Sequence, residues 1–377
     1  MSARPQLAIL LASYGDGGVE RSLVRLAGGL AATGVGVDLL LTRHEGPYLE
    51  QLHPAVQRVD LRRFDATPAT ALAGYLRARR PAVLLSSKEQ NDALAAGVQA
   101  IAAETGTRIA MRLATNFLAR AEGRRLWPWQ RRRAFARLRA RYARADLLLA
   151  ISHDLAVQMA GLLEVPAARI AVVRNPAFDP AILTRAAGPA PHPWLADPAV
   201  PVVLGIGGLR RQKDFPTLLR AFARLRRGRP ARLLILGRGR QAARLQRLAR
   251  RLRVAPDVAL AGFVDNPYPY LAHASLFALS SRWEGFGNVL VEALALGTPV
   301  VATDCRSGPR EILADGALGP LVPPGDAEAL AAAMAQVLTA PLPATRLRAG
   351  AERYTLAASV ADYTAALGLD GSSGAAP

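Results

Sequence analysis

Two glutamates stand eight positions apart in a segment that is otherwise almost free of charge. Glu292 lies in the middle of the run 288–296, whose other residues are mostly apolar, a pattern typical of a buried helix. A carboxylate in such a place costs several kcal/mol unless it accepts hydrogen bonds. The hydroxyl groups of a ligand can supply those bonds, and so can an arginine of the protein itself.

Glu284 comes just before the same predicted helix, separated from it by a glycine-containing turn. The turn and the first helical position are Gly285, Phe286, Gly287 and Asn288. Backbone N–H groups that open a helix have no partner within it and favour negative charge, so this helix start suits a phosphate. Glu284 is then expected within one helical turn of the phosphate, and Glu292 about two turns deeper. The alternative is that Glu284 only stabilises the helix start and that Glu292 pairs internally.

A lysine follows the first predicted strand in the second half of the chain. The strand is expected at 202–206, and Lys213 stands just before the helix that comes next. At that place the ammonium group can reach a diphosphate as a point charge, and Arg210 or Arg211 can assist it. A surface lysine with no ligand is the alternative.

Two glycine turns follow predicted strands elsewhere. One occupies 15–18 and includes Gly17 and Gly18, and the other includes Gly237. Only glycine lets a backbone approach a ligand this closely, so the first turn is a candidate ligand contact, with a tight turn and no ligand as the alternative. The second indicates little by itself, because any strand-to-helix turn can use glycine.

Strands and helices alternate along the chain, and the pattern starts afresh near residue 202, after a proline-rich stretch at 188–194. Such alternation predicts parallel sheets covered on both faces. The predicted fold class is α/β, with two tandem doubly wound Rossmann-like domains and an interdomain cleft that holds the active site. The expected parts are domains at 1–175 and 176–354, a helix at 355–367 that packs back on the first domain, and a flexible tail at 368–377.

Length and composition exclude several classes of protein. The 377 residues exceed what one core usually fills, and 51% apolar with 20% charged residues excludes intrinsic disorder. No apolar run approaches the roughly 20 residues of a membrane-spanning helix. The single cysteine, Cys305, allows neither an internal disulfide nor a multi-cysteine metal site. These features predict a cytoplasmic protein.

The charge is strongly basic, with 48 basic against 29 acidic residues and a formal net charge of +19. Ten arginines and one acid fall between Arg120 and Arg144, together with Trp127 and Trp129. Basic and aromatic residues in one run suit an anionic membrane surface, and a solvated helix face is the alternative. The run lacks a recognisable helix-turn-helix, zinc finger or RNA-binding sheet motif, which argues against nucleic acid as a partner.

The segment EGFGNVLVE, from Glu284 to Glu292, resembles the signature of retaining glycosyltransferase family 4, which is two glutamates with seven residues between them. The stretch from about 202 to 313 is similar to that family in order, through GGLRRQKDF, LLILGRGR, LAGFVDNPYPYL and SGPREIL. The resemblance implies a glycosyltransferase B (GT-B) fold, with the donor sugar nucleotide on the C-terminal domain and the acceptor mostly on the N-terminal domain. It also implies that Glu284 faces the donor hexose and that Glu292 binds the ribose hydroxyl groups.

The same resemblance implies roles for residues outside that segment. It places Lys213 at the donor diphosphate. The family usually has an arginine where this chain has Gly208, so Arg210 or Arg211 is expected to replace that contact. The other implied positions are Gly17 and Gly18 against the donor phosphates, Gly237 and the loop 262–265 around the nucleotide base, Asn116 near the reacting sugar on the acceptor side, and Asn175 with Pro176 at the domain hinge.

The expected activity is transfer of a sugar from a nucleoside diphosphate-sugar to a glycan or lipid-linked glycan, with retention at the anomeric carbon, in the synthesis of a cell-surface polysaccharide or lipopolysaccharide. No cofactor or catalytic metal is expected, because the chain has no Asp-x-Asp pair and its five histidines are scattered. The enzyme is expected on the inner face of the cytoplasmic membrane as a peripheral protein. A sugar-nucleotide epimerase or hydrolase of the same fold, and a basic nucleic-acid-binding protein, are the alternatives.

Overall fold

The computed structural model describes residues 6–11, 17–42, 48–122 and 127–370. It divides into two compact units: unit 1 comprises Met1–Pro176 with Leu356–Pro377, and unit 2 comprises Ala177–Thr355. Some positions named in the sequence analysis lie outside the described residues, namely Gly15 and Asp16 of the first glycine turn, Arg124 and Arg125 of the basic run, and 371–377 of the tail.

Unit 1 is built on a sheet of seven parallel strands in the order β3-β2-β1-β4-β5-β6-β7. The strands are β1 Leu7–Leu11, β2 Val37–Leu41, β3 Gln57–Asp60, β4 Val83–Ser87, β5 Arg108–Leu113, β6 Leu147–Ala150 and β7 Ile170–Val172. The strand order runs outward in both directions from β1 and β4. The carboxyl ends of these two strands therefore form a topological switch point, the place where doubly wound sheets bind ligands.

Helices follow the strands of unit 1 and bury their apolar faces on the sheet. They are α1 Gly18–Ala32, α2 Pro68–Arg79, α3 Glu89–Gly97, α4 Gln99–Thr105, α5 Phe117–Glu122, α6 Pro128–Tyr142 and α7 His153–Leu163. In α1, Leu23, Leu26 and Leu30 recur at helical spacing and are completely or almost completely buried in the core. This spacing is what makes the segment an amphipathic helix.

The C-terminal helix, Leu356–Leu367, also belongs to unit 1 and adds Val360, Tyr363 and Leu367 to its core. Nε of the buried Arg112 on β5 donates a hydrogen bond of 2.7 Å to the hydroxyl of Tyr363. The helix Leu356–Leu367 therefore packs into the same hydrophobic core as β1.

Unit 2 contains a sheet of six parallel strands in the order β10-β9-β8-β11-β12-β13. The strands are β8 Val202–Ile206, β9 Arg232–Leu236, β10 Val258–Gly262, β11 Leu276–Leu279, β12 Val300–Thr303 and β13 Leu321–Val322. Here the order runs outward from β8 and β11, whose carboxyl ends form the switch point of this sheet.

The helices of unit 2 are α8 Ala181–Ala186, α9 Pro193–Ala196, α10 Phe215–Gly228, α11 Ala242–Arg251, α12 Tyr268–His273, α13 Asn288–Leu296, α14 Pro309–Ile312, α15 Ala327–Thr339 and α16 Ala344–Ala351. Two parallel sheets with flanking helices confirm the predicted fold class. Within the four described ranges, no helix has the length and apolar character needed to cross a bilayer.

Candidate functional site

Most of the predicted donor-side residues that lie in unit 2 collect at the switch point of its sheet, whereas Gly17 and Gly18 lie in unit 1. Two segments meet at this switch point: 207–214, which follows β8, and 280–287, which follows β11. Because parallel strands end at the same edge of a sheet, residues far apart in the sequence are brought into contact.

The central contact of this site is an ion pair between Lys213 and Glu284. The Lys213 Nζ donates a hydrogen bond of 2.6 Å to the Glu284 Oε1, and the carboxylate is almost completely buried. The Ser281 hydroxyl donates to the same oxygen at 2.6 Å, and the Gln212 side-chain amide lies 3.5 Å from Oε2. Glu284 is thus held by both segments at once.

Further hydrogen bonds fix the two segments against each other. The Ser280 hydroxyl donates to the backbone carbonyl of Lys213 at 2.7 Å, and the backbone N–H of Arg282 donates to the carbonyl of Gln212 at 2.8 Å. Nε of Arg282 donates to the buried Asp214 carboxylate at 2.9 Å. These hydrogen bonds hold the two segments in one arrangement and so fix the position of Lys213.

Glycine is required where the turns after β8 and β9 approach each other. A Cβ atom on Gly237 would lie 2.0 Å from the carbonyl oxygen of Gly207, a distance that no real Cβ contact shows. The Gly237 N–H also donates to the carbonyl of Gly262 at 2.6 Å. Any side chain at Gly237 would therefore push the turns of three neighbouring strands apart.

The side chain of Arg210 lies over Gly208. Its Nε atom is 3.2 Å from the position that a Cβ atom on Gly208 would take. Arg210 and Arg211 are both exposed. The Arg210 side chain therefore lies close to position 208, where the resembled family has an arginine.

Helix α13 begins at Asn288, four residues after Glu284 of the Lys213–Glu284 ion pair. Its N-cap residue Gly287 has φ = +111°, in the left-handed region that favours glycine. The side chain of Phe286 is buried and packs edge to face on Tyr354, with the ring centres 5.1 Å apart. The Phe286 ring is therefore part of the internal packing of unit 2.

Glu292 lies in the middle of α13 and is completely buried, and it interacts with other groups of the protein. The predicted helix 288–296 has the observed bounds, Asn288–Leu296, and ends at Gly297 in the left-handed conformation. Burial of Glu292 is thus confirmed, whereas its role toward a ligand stays a prediction.

The lone cysteine also belongs to this region. Burial raises the pKa of the Cys305 thiol far above its usual range, and the negative charge of Glu284 adds to the effect. Cys305 is therefore a neutral thiol at ordinary pH, and it adds no charge to the site.

The segments that the resemblance places around a nucleotide base come together on one side of the site. The guanidinium group of Arg238 lies 4.9 Å from the centre of the Phe263 ring. The backbone N–H of Leu209 donates to the carbonyl of Arg238 at 3.0 Å. The turns after β8, β9 and β10 therefore form one continuous surface.

In unit 1, the predicted residues lie at the carboxyl edge of its own sheet. Gly17 is the N-cap of α1, and Gly18 opens that helix. Asn116 is buried; its Nδ2 donates to the Gln158 side chain at 2.7 Å, and its Oδ1 accepts from the backbone N–H of Ala119 at 2.9 Å. The Asn116 side chain thus fixes the start of α5.

Gln212 and Ser281 both contact Glu284, although neither was predicted from the sequence. Ser281 stands only three residues before Glu284, and this closeness in sequence is a signal that could have indicated it. Gln212 carries no such signal, because only the fold brings the 3₁₀ turn Arg211–Lys213 against the segment after β11.

The part of the basic run from Pro128 to Tyr142 forms α6. Two large aromatic side chains are exposed at the N-terminal end of this helix. Trp127 is 70% exposed and Trp129 is 57% exposed. The guanidinium group of Arg133 lies 5.9 Å from the Trp129 ring centre. On the opposite face Leu138 and Tyr142 are buried, so the helix is fixed to the unit through one face only.

Comparison with known proteins agrees with this arrangement. A model described as glycosyl transferases group 1 matches residues 200–340, and one described as glycosyltransferase family 4 matches residues 16–177. The two matches cover most of unit 1 and most of unit 2. Together the two matches support a group 1 glycosyltransferase of the GT-B type, as the sequence motifs predicted.

Two curated relatives match part of the chain. The N-acetylgalactosamine-N,N'-diacetylbacillosaminyl-diphospho-undecaprenol 4-alpha-N-acetylgalactosaminyltransferase of Campylobacter jejuni is 42% identical over 120 residues, which are 32% of this chain and 32% of the relative. The lipopolysaccharide core biosynthesis glycosyltransferase LpsE of Rhizobium meliloti is 41% identical over 138 residues, or 37% and 39% of the two chains. The chain thus spans about a third of each relative's length.

Solved structures share the fold along nearly the whole chain. The Anabaena protein HepE, solved in complex with UDP and glucose, has a TM-score of 0.78 at 19% identity and covers 96% of this chain and 99% of its own. WaaG, a glycosyltransferase involved in lipopolysaccharide biosynthesis, has a TM-score of 0.65 at 18% identity over 97% and 99% of the two chains. These likenesses concern the fold.

Proposed function

We propose that the chain is a glycosyltransferase that moves a sugar from a nucleoside diphosphate-sugar to a glycan or lipid-linked glycan, with retention at the anomeric carbon. The observation that carries this proposal is the 2.6 Å ion pair between Lys213 and Glu284 at the switch point of the unit 2 sheet, beside the start of α13. A diphosphate needs a cation and N–H donors, whereas sugar hydroxyl groups need an acceptor. This site supplies all three.

The donor diphosphate binds to Lys213 and to the backbone N–H groups that open α13. The Arg210 side chain over Gly208 supports Arg210, rather than Arg211, as the second cation. Glu284 faces the sugar, and Glu292 binds the ribose hydroxyl groups. The burial of both carboxylates supports these roles, because a buried carboxylate is a strong acceptor for hydroxyl donors.

The transfer exchanges one bond at the anomeric carbon for another. The bond to the diphosphate oxygen breaks, and its electron pair leaves with the nucleoside diphosphate. The oxygen of the acceptor hydroxyl forms the new bond from the same face, and its proton passes to the departing diphosphate. Lys213 and the start of α13 stabilise the charge that develops on the leaving group.

The names of the relatives support the substrate classes. The Campylobacter and Rhizobium relatives are named as glycosyltransferases, one of them acting on a diphospho-undecaprenol-linked sugar and the other in lipopolysaccharide core biosynthesis. HepE was solved with UDP and glucose. These names fit a donor that is a nucleoside diphosphate-sugar and an acceptor that is a glycan or a lipid-linked glycan.

A lipid-linked acceptor requires the enzyme to reach a membrane, and α6 supports such docking. Trp127 and Trp129 are exposed at its N-terminal end, and the exposed Arg131, Arg132 and Arg133 follow within one turn. Indole rings sit at the headgroup level of a bilayer, and arginines there attract anionic lipids. We place the docking surface of unit 1 at this end of α6.

The proposal is tested by measuring nucleotide affinity and transfer in variants of the two glutamates. A thermal-shift screen of nucleoside diphosphates and their sugars first identifies the donor, because a ligand of the folded state raises its stability. Glu292→Ala is expected to weaken nucleotide binding by about tenfold or more, since a buried charged hydrogen bond is lost. Glu284→Ala is expected to lower turnover more than nucleotide affinity.

The matched control is Glu328→Ala, which changes an exposed glutamate of the same unit and is expected to alter neither quantity. The anomeric configuration of the product, read by NMR, tests retention. Unchanged nucleotide binding and turnover in both site variants contradict the site assignment. Donor consumption that is equally fast without an acceptor indicates a hydrolase or epimerase instead.

A further inference from the structure

Lysine is rare in this chain. Only Lys88 and Lys213 occur among its 48 basic residues, and all others are arginines. Arginine offers five donors in a planar fork, whereas lysine offers one compact ammonium group. In a chain that otherwise uses arginine, a lysine indicates a position that suits a compact point charge. Lys213 lies in the site described above, whereas Lys88 lies outside it, in unit 1.

Lys88 forms an ion pair with a buried glutamate of unit 1. Its Nζ donates a hydrogen bond to Oε1 of Glu20, whose side chain is completely buried, whereas about a third of the Lys88 side chain is exposed. Glu20 lies in the first turn of α1, and Lys88 is the N-cap residue of α3. The pair therefore joins the segment after β1 to the segment after β4.

This position in the fold matches that of the Lys213–Glu284 pair in unit 2. β1 and β4 flank the switch point of the seven-stranded sheet, just as β8 and β11 flank that of the six-stranded sheet. In each unit a lysine from one of the two segments pairs with a buried glutamate from the other. The edge of a doubly wound sheet at this point is where ligands bind.

The backbone at Lys88 is strained. Its φ is +78°, in the left-handed region that side chains other than glycine rarely adopt. Such a conformation costs about 1–3 kcal/mol and persists only where the surrounding structure enforces it. In this backbone conformation the Lys88 side chain reaches from the end of β4 to Glu20 on α1.

One oxygen of Glu20 is buried without a hydrogen-bond donor. Its Oε2 accepts no hydrogen bond from any described residue. A Cβ atom on Gly17 would lie 3.0 Å from this oxygen, so a side chain at position 17 would crowd Oε2. A buried carboxylate oxygen without a donor is costly, and a ligand hydroxyl would remove that cost.

We propose that Glu20 and Lys88 form a second ligand site, on unit 1, that binds neighbouring hydroxyl groups of a sugar ring. Oε2 of Glu20 accepts a hydrogen bond from one hydroxyl, and the exposed part of the Lys88 ammonium donates to the oxygen of the next. The pair carries no net charge, which suits neutral hydroxyl groups better than a phosphate. This inference rests on the proposed sugar transfer, in which the ring belongs to the donor or to the acceptor.

The two lysines make a direct test possible. Protein labelled with ¹³C at the lysine ε-carbon gives two side-chain NMR signals, which Lys88→Arg and Lys213→Arg assign by removing one each. UDP is expected to move the Lys213 signal and to leave the Lys88 signal in place. With UDP present, methyl glycosides of glucose, galactose, N-acetylglucosamine and N-acetylgalactosamine at millimolar concentration are added one at a time.

The two sources of the ring give different results. If it belongs to the donor, UDP-glucose or UDP-galactose moves the Lys88 signal and UDP alone does not. If it belongs to the acceptor, a methyl glycoside moves it. A Lys88 signal that responds to none of these compounds overturns the proposal. A Lys213 signal that ignores UDP and both UDP-sugars speaks against the proposed donor site, and leaves the Lys88 result to be read separately.

Substitutions separate a ligand site from an ion pair that only stabilises unit 1. Lys88→Arg keeps the charge, so a purely structural pair tolerates it, whereas a sugar site built for a compact ammonium group loses affinity. Lys88→Arg and Glu20→Gln are expected to raise the sugar Kd or KM by about tenfold or more, with UDP affinity within about twofold of wild type. Glu104→Gln, at an exposed glutamate of the same unit, is the control.

Urea unfolding of each variant shows whether the fold is kept. Wild-type sugar affinity and wild-type transfer in a folded Lys88→Arg protein overturn the proposal. If Glu20→Gln proves unstable, Lys88→Arg alone decides the matter, because it preserves the ion pair.

Discussion

The hydroxyl of Tyr142, the last residue of α6, donates a hydrogen bond of 2.9 Å to Oδ2 of Asp92 on α3. The Ser86 hydroxyl donates to Oδ1 of the same carboxylate at 2.7 Å. Asp92 is almost completely buried. The arginine-rich helix is therefore fixed to the interior of unit 1 through a buried acid.

This acid predicts a pH dependence of stability. Burial raises the pKa of Asp92 to about 7, from a usual value of 3.8. Between these values the folded state holds a proton that the unfolded chain has released, so the free energy of unfolding falls as pH rises through this range. Asp92→Asn removes the effect, and its stability relative to wild type should therefore increase from about pH 5 to about pH 8, by a few kcal/mol.

Urea unfolding of wild type and Asp92→Asn at several pH values measures this difference. Asp146→Asn, at another aspartate of unit 1, controls for loss of an acid as such. A stability difference between wild type and Asp92→Asn that stays constant over the whole range contradicts the prediction.

A second prediction concerns the C-terminal helix. Tyr363→Phe removes the hydroxyl that accepts the 2.7 Å hydrogen bond from Nε of Arg112, and both side chains are buried. The guanidinium group then loses one of its acceptors, which should lower the free energy of unfolding by about 1–3 kcal/mol. Chemical denaturation measures the change. Tyr354→Phe serves as the comparison, because that hydroxyl is not bonded to Arg112. Equal stability of Tyr363→Phe and wild type would show that the helix packs without this bond.

Much of the fold could be predicted because its central strands are short, apolar and bounded by turns. Val202–Ile206 has the bounds predicted from its sequence, and so does α13 at Asn288–Leu296. The sheet edges were missed for a physical reason. Gln57–Asp60 is a largely exposed, polar edge strand, and Leu321–Val322 has only two residues, so neither shows the apolar run that indicates a buried strand.

The candidate site could be predicted only in part. The glutamate spacing and the position of Lys213 before a helix point to their residues from the sequence. The pairing of Lys213 with Glu284 does not follow from spacing, because it depends on which strands of the sheet are neighbours. The same holds for Glu20 and Lys88, which stand 68 positions apart and meet because β1 lies beside β4.

A third prediction tests the close approach of the turns in unit 2. Gly237→Ala places a Cβ atom 2.0 Å from the carbonyl oxygen of Gly207, so the turn must move. We expect a loss of about 2 kcal/mol or more in the free energy of unfolding, together with weaker nucleotide binding. The matched control is Gly161→Ala on α7, where a Cβ atom meets nothing within 4 Å. That variant should gain up to about 1 kcal/mol from helix propensity. Unaltered nucleotide affinity in Gly237→Ala contradicts the role given to this turn.

The last prediction concerns membrane docking through α6. Replacing Trp127 and Trp129 together by serine removes two large aromatic side chains that are more than half exposed. Binding to vesicles that contain anionic lipid should weaken by about tenfold or more, because each indole loses its place at the headgroup level. Affinity for the free nucleotide should not change, since both residues lie in unit 1 and the proposed nucleotide site lies in unit 2.

Vesicle sedimentation at low and high salt measures the binding, and Leu183→Ser, at an exposed apolar residue of unit 2, is the control. The arginine contribution should appear as weaker binding at high salt, because screening acts on the attraction to anionic lipid. If the double tryptophan variant binds anionic vesicles as well as wild type does, the docking surface lies elsewhere. If neither protein binds them, the acceptor reaches the enzyme without membrane contact by this helix.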